Sequence, residues 1–243
     1  MSEIRTVIPE EIDAYLEAMV RTGPFASKAE LVRAALVSYA QETGPLAQGF
    51  DKELIFSPDG RLYQVEYARE SSRRGLPVAG LLYDGGVLIT ASYTPTTGVP
   101  AVNVRNEGKV LSPNPSVLLA GSGLVADFRF VRSELKGFKG ATAEEWVDLL
   151  ALLFWRFTSE RGRRPLGTTL LLGTSFGQKP RLFFIDASGA VMEGDGFLMG
   201  NLPEGARDRL AKGYRKGTRK DAERLAEELL GAPGLTLSHH ALP

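Results

Sequence analysis

Strand and helix patterns follow one another in blocks over residues 76–240, and their order restricts the fold more than any other feature of this sequence. The stretch GLPVAGLLYDGGVLITASYT holds two apolar strand patterns around an Asp-Gly-Gly turn, which is typical of a β-hairpin. Another strand (PSVLLAGSG), two helices, three strands, two more helices and a possible last strand (LTLS) follow. Consecutive strands joined by tight turns pair antiparallel, and two apolar sheets need helices to cover them. We therefore predict an α+β protein built as a four-layer αββα sandwich.

The composition is that of an ordinary globular chain, and it excludes several kinds of site. Lys and Arg number 29, as do Asp and Glu, so the net charge gives no reason to expect nucleic acid. The absence of cysteine excludes disulfides, thiolate catalysis and cysteine metal sites. No apolar run reaches the ~18 residues of a membrane span, and the first residues are too polar for a signal peptide. We expect a cytoplasmic protein with no metal, cofactor or membrane partner.

The two histidines of the chain, His239 and His240, are adjacent and close to its end. They lack the carboxylate at helical spacing that would make a zinc site with them. We predict that this pair belongs to a solvated tail.

The sequence divides into a helix-rich module (residues 1–43), a connector (44–49) and a main domain (50–243). Proline and glycine in TGPLAQG mark the connector. In the module, EIRTVIP predicts a short strand, and an apolar stripe every three to four residues predicts the helix that follows it. Ser27 stands three residues before Glu30, the spacing of a capping box, and opens a second helix.

Residues 56–75, FSPDGRLYQVEYARESSRRG, combine a turn, a helix with two tyrosines and a terminal glycine. This segment resembles the N-terminal signature of proteasome α subunits nearly position for position. Four later or flanking motifs resemble segments of the same family and occur in the family's order: FD (50–51), SGLVADFR (122–129), RRPLG (163–167) and DASG (186–189). The resemblance covers about residues 50–231 and implies the Ntn-hydrolase fold of proteasome subunits.

The resemblance also implies that the tyrosine-bearing helix lies across the cleft in which the catalytic relatives, the β subunits, keep their active site. Catalysis there needs an N-terminal threonine whose amine is the base for its own hydroxyl. The equivalent position falls at about Leu76, followed by Pro77 and preceded by 75 residues. The aspartate expected late in the second strand is Ser92. We therefore predict that this domain is not an enzyme.

As further implications of the resemblance, we expect a ring of seven copies, in the family's manner, that gates or scaffolds a degradation chamber. It would meet an activator ATPase and a β-type subunit. The gate residues would be Phe50, Asp51, Pro58 and Tyr67, although Tyr67 could instead pack its helix onto the sheets. A pocket for the activator's C-terminal tail would hold a carboxylate on Lys109, with Gly60, Arg61, Glu66, Gly123 and Leu124 around it. Asp127 and Arg129 would form a charge pair at the subunit contact. The family's Glu-Lys-Ile is present here only as EGKVL, without the preceding glutamate in place.

The N-terminal module resembles ribbon-helix-helix modules, which pair through their strand and in many cases bind DNA. Arg5 would face the major groove, while Ser27 and Lys28 at the start of the second helix would approach phosphates. The module has four basic and seven acidic side chains, a net charge of −3, which opposes phosphate binding. Self-association is favoured over DNA binding, and seven such modules cannot all pair within one ring.

Two alternatives stay open. The chain could be a scaffold or regulator with the proteasome fold but outside the proteasome, in which the N-terminal module drives dimerisation or binds DNA. It could also be a hydrolase that uses Ser92, Thr94 or Thr168, an alternative weakened because no histidine lies in the body of the chain to act as base.

Overall fold

The computed structural model describes residues 7–23, 25–43, 49–93, 109–177, 179–231 and 236–243. The chain forms two compact units, Met1–Leu62 and Tyr63–Pro243, and each is described by itself. Most of the predicted connector, residues 44–48, lies outside the described residues, and the predicted limits at 43 and 50 stay a prediction.

The first unit contains two helices, α1 (Glu10–Thr22) and α2 (Lys28–Thr43). The Ser27 hydroxyl accepts a hydrogen bond from the Glu30 N–H at 3.2 Å, as the capping-box spacing predicts. The Glu30 carboxylate reaches back to the N–H of Ala26, one residue before the expected one. The predicted strand before Pro9 lies largely outside the described residues, and Val7 and Ile8 belong to no strand.

Ion pairs join α1 to the start of α2. The Lys28 ammonium lies 2.8 Å from a carboxylate oxygen of Asp13 and 2.8 Å from one of Glu17. No residue of α1 is buried, and Ile12 and Tyr15 of its predicted apolar stripe are 50% and 63% exposed. These two residues of the stripe are exposed, whereas its other three residues are half-buried. Lys28, one of the residues expected to approach phosphate, is held by two carboxylates.

The second unit begins with α3 (Tyr63–Arg73) and contains two antiparallel sheets. The first sheet has the strand order β8-β1-β2-β9. Its strands are β1 (Val78–Tyr83), β2 (Gly86–Tyr93), β8 (Gly196–Met199) and β9 (Thr236–Leu242). The second sheet has the order β3-β4-β5-β6-β7. Its strands are β3 (Val110–Asn114), β4 (Val117–Gly123), β5 (Thr168–Phe176), β6 (Lys179–Ile185) and β7 (Val191–Glu193).

The predicted hairpin is confirmed. Tyr83 pairs with Gly86 across a two-residue turn in which Gly85 has φ +80°, a conformation that favours glycine. The short strands β3 and β8 were not predicted.

Four helices follow β4: α4 (Val125–Glu134), α5 (Ala143–Ser159), α6 (Ala206–Gly213) and α7 (Arg219–Leu230). Thr142 caps α5 by accepting from the Glu145 N–H at 3.3 Å, as predicted. Thr218 and Asp221 form a complete capping box on α7.

Three apolar clusters hold the second unit together. One contains residues of both sheets, among them Val87 and Ile89 of β2 with Leu171 of β5. Another joins the second sheet to α4 and α5, with Trp146 and Phe154 fully buried. A third joins the first sheet to α7. Burial of these large side chains supplies most of the stabilisation, at ~1.5–3 kcal/mol for each.

The prediction of a solvated histidine tail is wrong. Both histidines lie in β9, which pairs with β2 over seven residues. The His239 Nδ1 is 2.9 Å from the hydroxyl of buried Thr90, and the His240 Nε2 is 2.6 Å from the Ser238 hydroxyl. Burial and the neighbouring His239 lower the pKa of His240. Among the described helices, none has the length and apolar character that crossing a bilayer requires.

Candidate functional site around the third helix and Lys109

An apolar face and an ion pair hold helix α3 within the second unit. Tyr63, Val65 and Ala68 are buried, whereas Tyr67 is 46% exposed. A gate role or a packing role for Tyr67 stays a prediction. The Arg69 guanidinium donates to one carboxylate oxygen of Asp186 at 2.7 and 2.9 Å. Burial alone would raise the pKa of Asp186, but Arg69 and the Ser188 hydroxyl outweigh it and hold that pKa below its usual range.

Glycines allow the end of α3 to approach the start of β1 and the loops around it. A Cβ on Gly75 would overlap Gly123, and a Cβ on Gly200, which has φ +89°, would overlap the carbonyls of Gly75 and Leu76. The Gly75 carbonyl accepts from the Asn201 N–H at 2.7 Å, and the Leu76 carbonyl accepts from the Ser122 hydroxyl at 3.0 Å. The main chain before β1 therefore packs closely against the main chain of these loops.

The hydroxyl residues considered as alternative nucleophiles are engaged in the interior. Ser92 is fully buried and donates to the Pro77 carbonyl at 2.8 Å. Thr168 is fully buried and donates to the Ser122 carbonyl at 2.9 Å. Thr94 lies outside the described residues. A hydroxyl that is shut off from solvent and bonded to a carbonyl has neither a base nor access to a substrate.

A pocket lies where the start of β3 meets the start of α4. Lys109, Gly123, Leu124, Val125, Phe128 and Arg129 are among the residues that line it. Burial lowers the pKa of Lys109 to about 8, because the ammonium is partly removed from water. A partly desolvated ammonium beside apolar side chains suits a carboxylate attached to an apolar residue.

The structure brings three of the predicted tail-pocket residues together: Lys109, Gly123 and Leu124. Glu66 lies in the first turn of α3. Gly60 and Arg61 belong to the first unit. Their roles at a tail pocket stay predictions.

The predicted turn in the first unit closes around Ser57. Its carbonyl accepts from the Gly60 N–H at 2.8 Å, and its hydroxyl accepts from the Arg61 N–H at 3.1 Å. Gly60 has φ +78°, and Pro58 is exposed. Phe50 and Asp51, the other predicted gate residues of this unit, lie in a turn closed by the Lys52 N–H on the Gly49 carbonyl at 2.9 Å.

Asp127 has a partner that the sequence did not identify. Its carboxylate is buried and accepts from the Arg164 guanidinium at 2.7 and 2.8 Å and from the Gly167 N–H at 2.7 Å. Burial acts to raise the pKa of Asp127, and the bonds from Arg164 and Gly167 reverse this and lower it. The RRPLG motif contains Arg164, but no local sequence pattern indicates that this arginine pairs with a residue 37 positions earlier. A subunit contact through Arg129 stays a prediction.

Within the described ranges, no three His, Asp or Glu side chains stand close enough to hold a metal ion.

Comparisons with known proteins agree with the motifs. Residues 50–70 match the family model of the N-terminal signature of α-type proteasome subunits, and residues 72–232 match the general model of proteasome subunits. The proteasome α subunit of Methanocaldococcus jannaschii is 35% identical over 170 residues, 66% of this chain and 64% of that protein. The one from Methanococcus maripaludis is 34% identical over 157 residues, 60% of each chain. The one from Methanosarcina mazei is 30% identical over 197 residues, 77% of each chain.

The match thus spans 60% and 64% of the length of the first two α subunits, less than two thirds of each. The family models cover most of the chain, including the signature that the sequence predicted at residues 56–75. An α+β structure with two antiparallel sheets agrees with them. This chain belongs to the proteasome subunit family, among its α subunits.

Proposed function

We propose that the protein is a noncatalytic α-type subunit of a proteasome ring, which gates or scaffolds a degradation chamber built with a β-type subunit. The observation that carries the proposal concerns helix α3, which precedes β1 in the chain. At its C-terminal end the main chain packs so closely at Gly75, Gly123 and Gly200 that a Cβ at any of them would overlap neighbouring atoms. In this proposal, the three apolar clusters are the three junctions of a four-layer αββα sandwich.

The absence of catalysis follows from the chemistry of the β1 start. An N-terminal nucleophile needs a free amine beside its own hydroxyl. Here Leu76 and Pro77 occupy the start of the strand, and the Leu76 carbonyl is bonded to the Ser122 hydroxyl. The buried hydroxyls of Ser92 and Thr168 donate to carbonyls, which supports a structural use for both.

Native mass spectrometry of the full-length protein, alone and co-expressed with a β-type subunit from the same genome, tests the assembly. We expect a ring of seven copies that binds the β ring, and no hydrolysis of fluorogenic peptides by the protein alone. A dimer that does not bind the β-type subunit would contradict the proposal and favour a scaffold outside the proteasome. A shift of duplex DNA by that dimer would assign the N-terminal module to DNA binding.

For the N-terminal module, we propose self-association as a ribbon-helix-helix-like unit. The exposed side chains of Ile12 and Tyr15 on α1 and the two carboxylates on Lys28 support a protein partner over DNA. Since seven modules cannot all pair within one ring, the pairing would join two rings, force an even-numbered or open assembly, or leave one module unpaired.

The Lys109 pocket is proposed to receive the C-terminal carboxylate of an activator, at the contact between neighbouring subunits. We expect Lys109→Met to weaken binding of a labelled pentapeptide that ends in a free carboxylate by about tenfold or more, since a hydrogen bond to a charged group contributes ~1.5–3 kcal/mol. Fluorescence anisotropy measures the affinity. The same pentapeptide with an amidated C-terminus is the matched control and should bind weakly to both proteins.

The pH dependence of that binding has a defined sign. Because the pKa of Lys109 is about 8, its ammonium is largely protonated at pH 7 and largely neutral at pH 9. We expect roughly tenfold weaker binding at pH 9 than at pH 7, and no such loss in Lys109→Arg, whose cation persists. If the affinity of the unchanged protein and of Lys109→Arg depended on pH in the same way, Lys109 would not be the group that binds the carboxylate.

A further inference from the structure

A cavity of about 390 Å³ lies beside α3, among residues from strands of both sheets. Its volume falls within the ~300–1,000 Å³ of pockets that hold small molecules. It shares no lining residue with the Lys109 pocket, and all of its lining belongs to the second unit. We name it the α3 cavity.

The wall that the strands give to the α3 cavity is largely apolar. Its side chains come from β6, β7 and β8 and from the residue before β7: Phe184, Ala190, Met192, Leu198 and Met199. Phe184 stands opposite Met192 in the pairing of β6 with β7, so the two side chains share one face of the sheet. Phe184 packs against the cluster between the sheets, yet Met192 is 52% exposed. An apolar ligand would remove this wall from water.

Most polar side chains around the α3 cavity already have partners. The Arg69 guanidinium is bonded to the Asp186 carboxylate. The Ser72 hydroxyl donates to the Arg69 carbonyl at 2.7 Å, and the Thr169 hydroxyl lies 3.6 Å from the Met199 sulfur. A ligand that carries unpaired polar groups into such a site loses their bonds to water. The lining therefore favours an alkyl chain over a peptide, in which nearly every residue brings an N–H and a carbonyl.

One cation of the lining has no counter-charge. Arg73 lies 3.9 Å from Glu70, so it is already paired. The guanidinium of Arg207 is exposed, and among the described residues none forms an ion pair or a hydrogen bond with it. Arg207 also lines a second depression, of about 450 Å³, in which Asp208 is the acidic residue. Arg207 thus stands where the apolar cavity meets this second depression, and it suits the charged end of an amphipathic ligand.

We propose that the α3 cavity binds a medium-chain fatty acid, with its alkyl chain against Phe184 and Met192 and its carboxylate on Arg207. The planar fork of an arginine matches the two oxygens of a carboxylate. The apolar wall accepts a chain that has no polar groups. This site requires neither a neighbouring subunit nor the activator tail proposed for Lys109.

Isothermal titration calorimetry of the full-length protein with decanoate, below its micelle concentration, tests the proposal. We expect a single saturable site per chain that persists in Lys109→Met, in which the other proposed carboxylate site is removed. The matched control ligand is 1-decanol, which has the same chain without the charge. It should bind about tenfold more weakly than decanoate.

Arg207→Gln should weaken decanoate binding by about tenfold and leave 1-decanol binding unchanged. Its control is Lys212→Gln, which makes the same change in charge on the same helix, outside the cavity, and should leave both ligands unaffected. Met192→Glu should weaken the binding of both ligands, because it places a carboxylate on the apolar wall. Leu152→Glu is its control, since Leu152 is 45% exposed on α5 and does not line the cavity.

Equal affinities for decanoate and 1-decanol would overturn the proposal, as would the same loss in Arg207→Gln and Lys212→Gln. Loss of decanoate binding in Lys109→Met would place the ligand in the Lys109 pocket instead. Tighter binding of the tetrapeptide Ala-Leu-Leu-Ala than of decanoate would exclude an alkyl ligand in favour of a peptide. Unchanged melting temperatures confirm that the variants fold. Because the cavity lies within the second unit, a failure of ring assembly leaves this result unaffected, and the reverse also holds.

Discussion

Replacing Gly123 by alanine should lower the melting temperature by about 10 °C. Gly123 has φ +123°, which L residues rarely adopt. A Cβ there would also lie no more than 3.0 Å from the Gly167 carbonyl oxygen and from the Cα atoms of Ser72 and Thr168. The overlap involves main chain of α3 and β5, which cannot rotate away. The combined cost is about 3 kcal/mol or more, and 1 kcal/mol shifts the midpoint of a domain of this size by roughly 2–4 °C.

Gly137→Ala separates the two contributions to that effect. Gly137 also has a left-handed backbone, with φ +83°, but a Cβ there would meet nothing within 4 Å. It should cost only the backbone strain, about 1 kcal/mol. Differential scanning fluorimetry of the two variants compares them directly. Equal losses would mean that the contact of α3 with the strand ends contributes nothing, and the proposal of a noncatalytic subunit would lose its main support.

Local signals explain the parts of the fold that the sequence predicted well. The capping residues Ser27 and Thr142 act within three residues of themselves, and the turn at Gly85 needs only its own backbone conformation. By contrast, β3 and β8 are short strands at the edges of their sheets, and β3 contains a proline and three residues that are at most partly buried. Neither carries the alternation of apolar side chains by which strands are found in a sequence.

Pairing across long stretches of chain explains the parts that the sequence missed. His239 and Thr90 are 149 residues apart and meet only because β9 pairs with β2. The family motifs pointed to Lys109, Gly123 and Leu124, and the pocket does bring these three together. The chain has 29 lysines and arginines, so the charge of Asp127 does not identify Arg164 as its partner.

Arg164→Met should destabilise the second unit by about 2 kcal/mol at pH 6. Removing the partner of a buried charge costs ~3–5 kcal/mol. The smaller value applies here because the Arg164 side chain is 58% exposed, so water already screens the pair. Asp127 also holds the Gly167 N–H, and the Gly167 carbonyl accepts from Leu124 at 2.9 Å. The variant should therefore also weaken binding of the carboxylate peptide in the Lys109 pocket.

The pH dependence distinguishes loss of this ion pair from general loss of packing. The folded protein holds the pKa of Asp127 below its unfolded value, so the stabilisation is present above about pH 4 and is lost as pH falls through the folded pKa. Without Arg164, burial raises that pKa, and the sign reverses. Urea unfolding at pH 6 and pH 3.5 should thus give a smaller difference between the two proteins at the lower pH. Arg163→Met is the matched control, since Arg163 forms an exposed pair with Glu160 and should cost under about 1 kcal/mol at either pH. A difference that stays constant between the two pH values would mean that Asp127 does not depend on Arg164 for its charge.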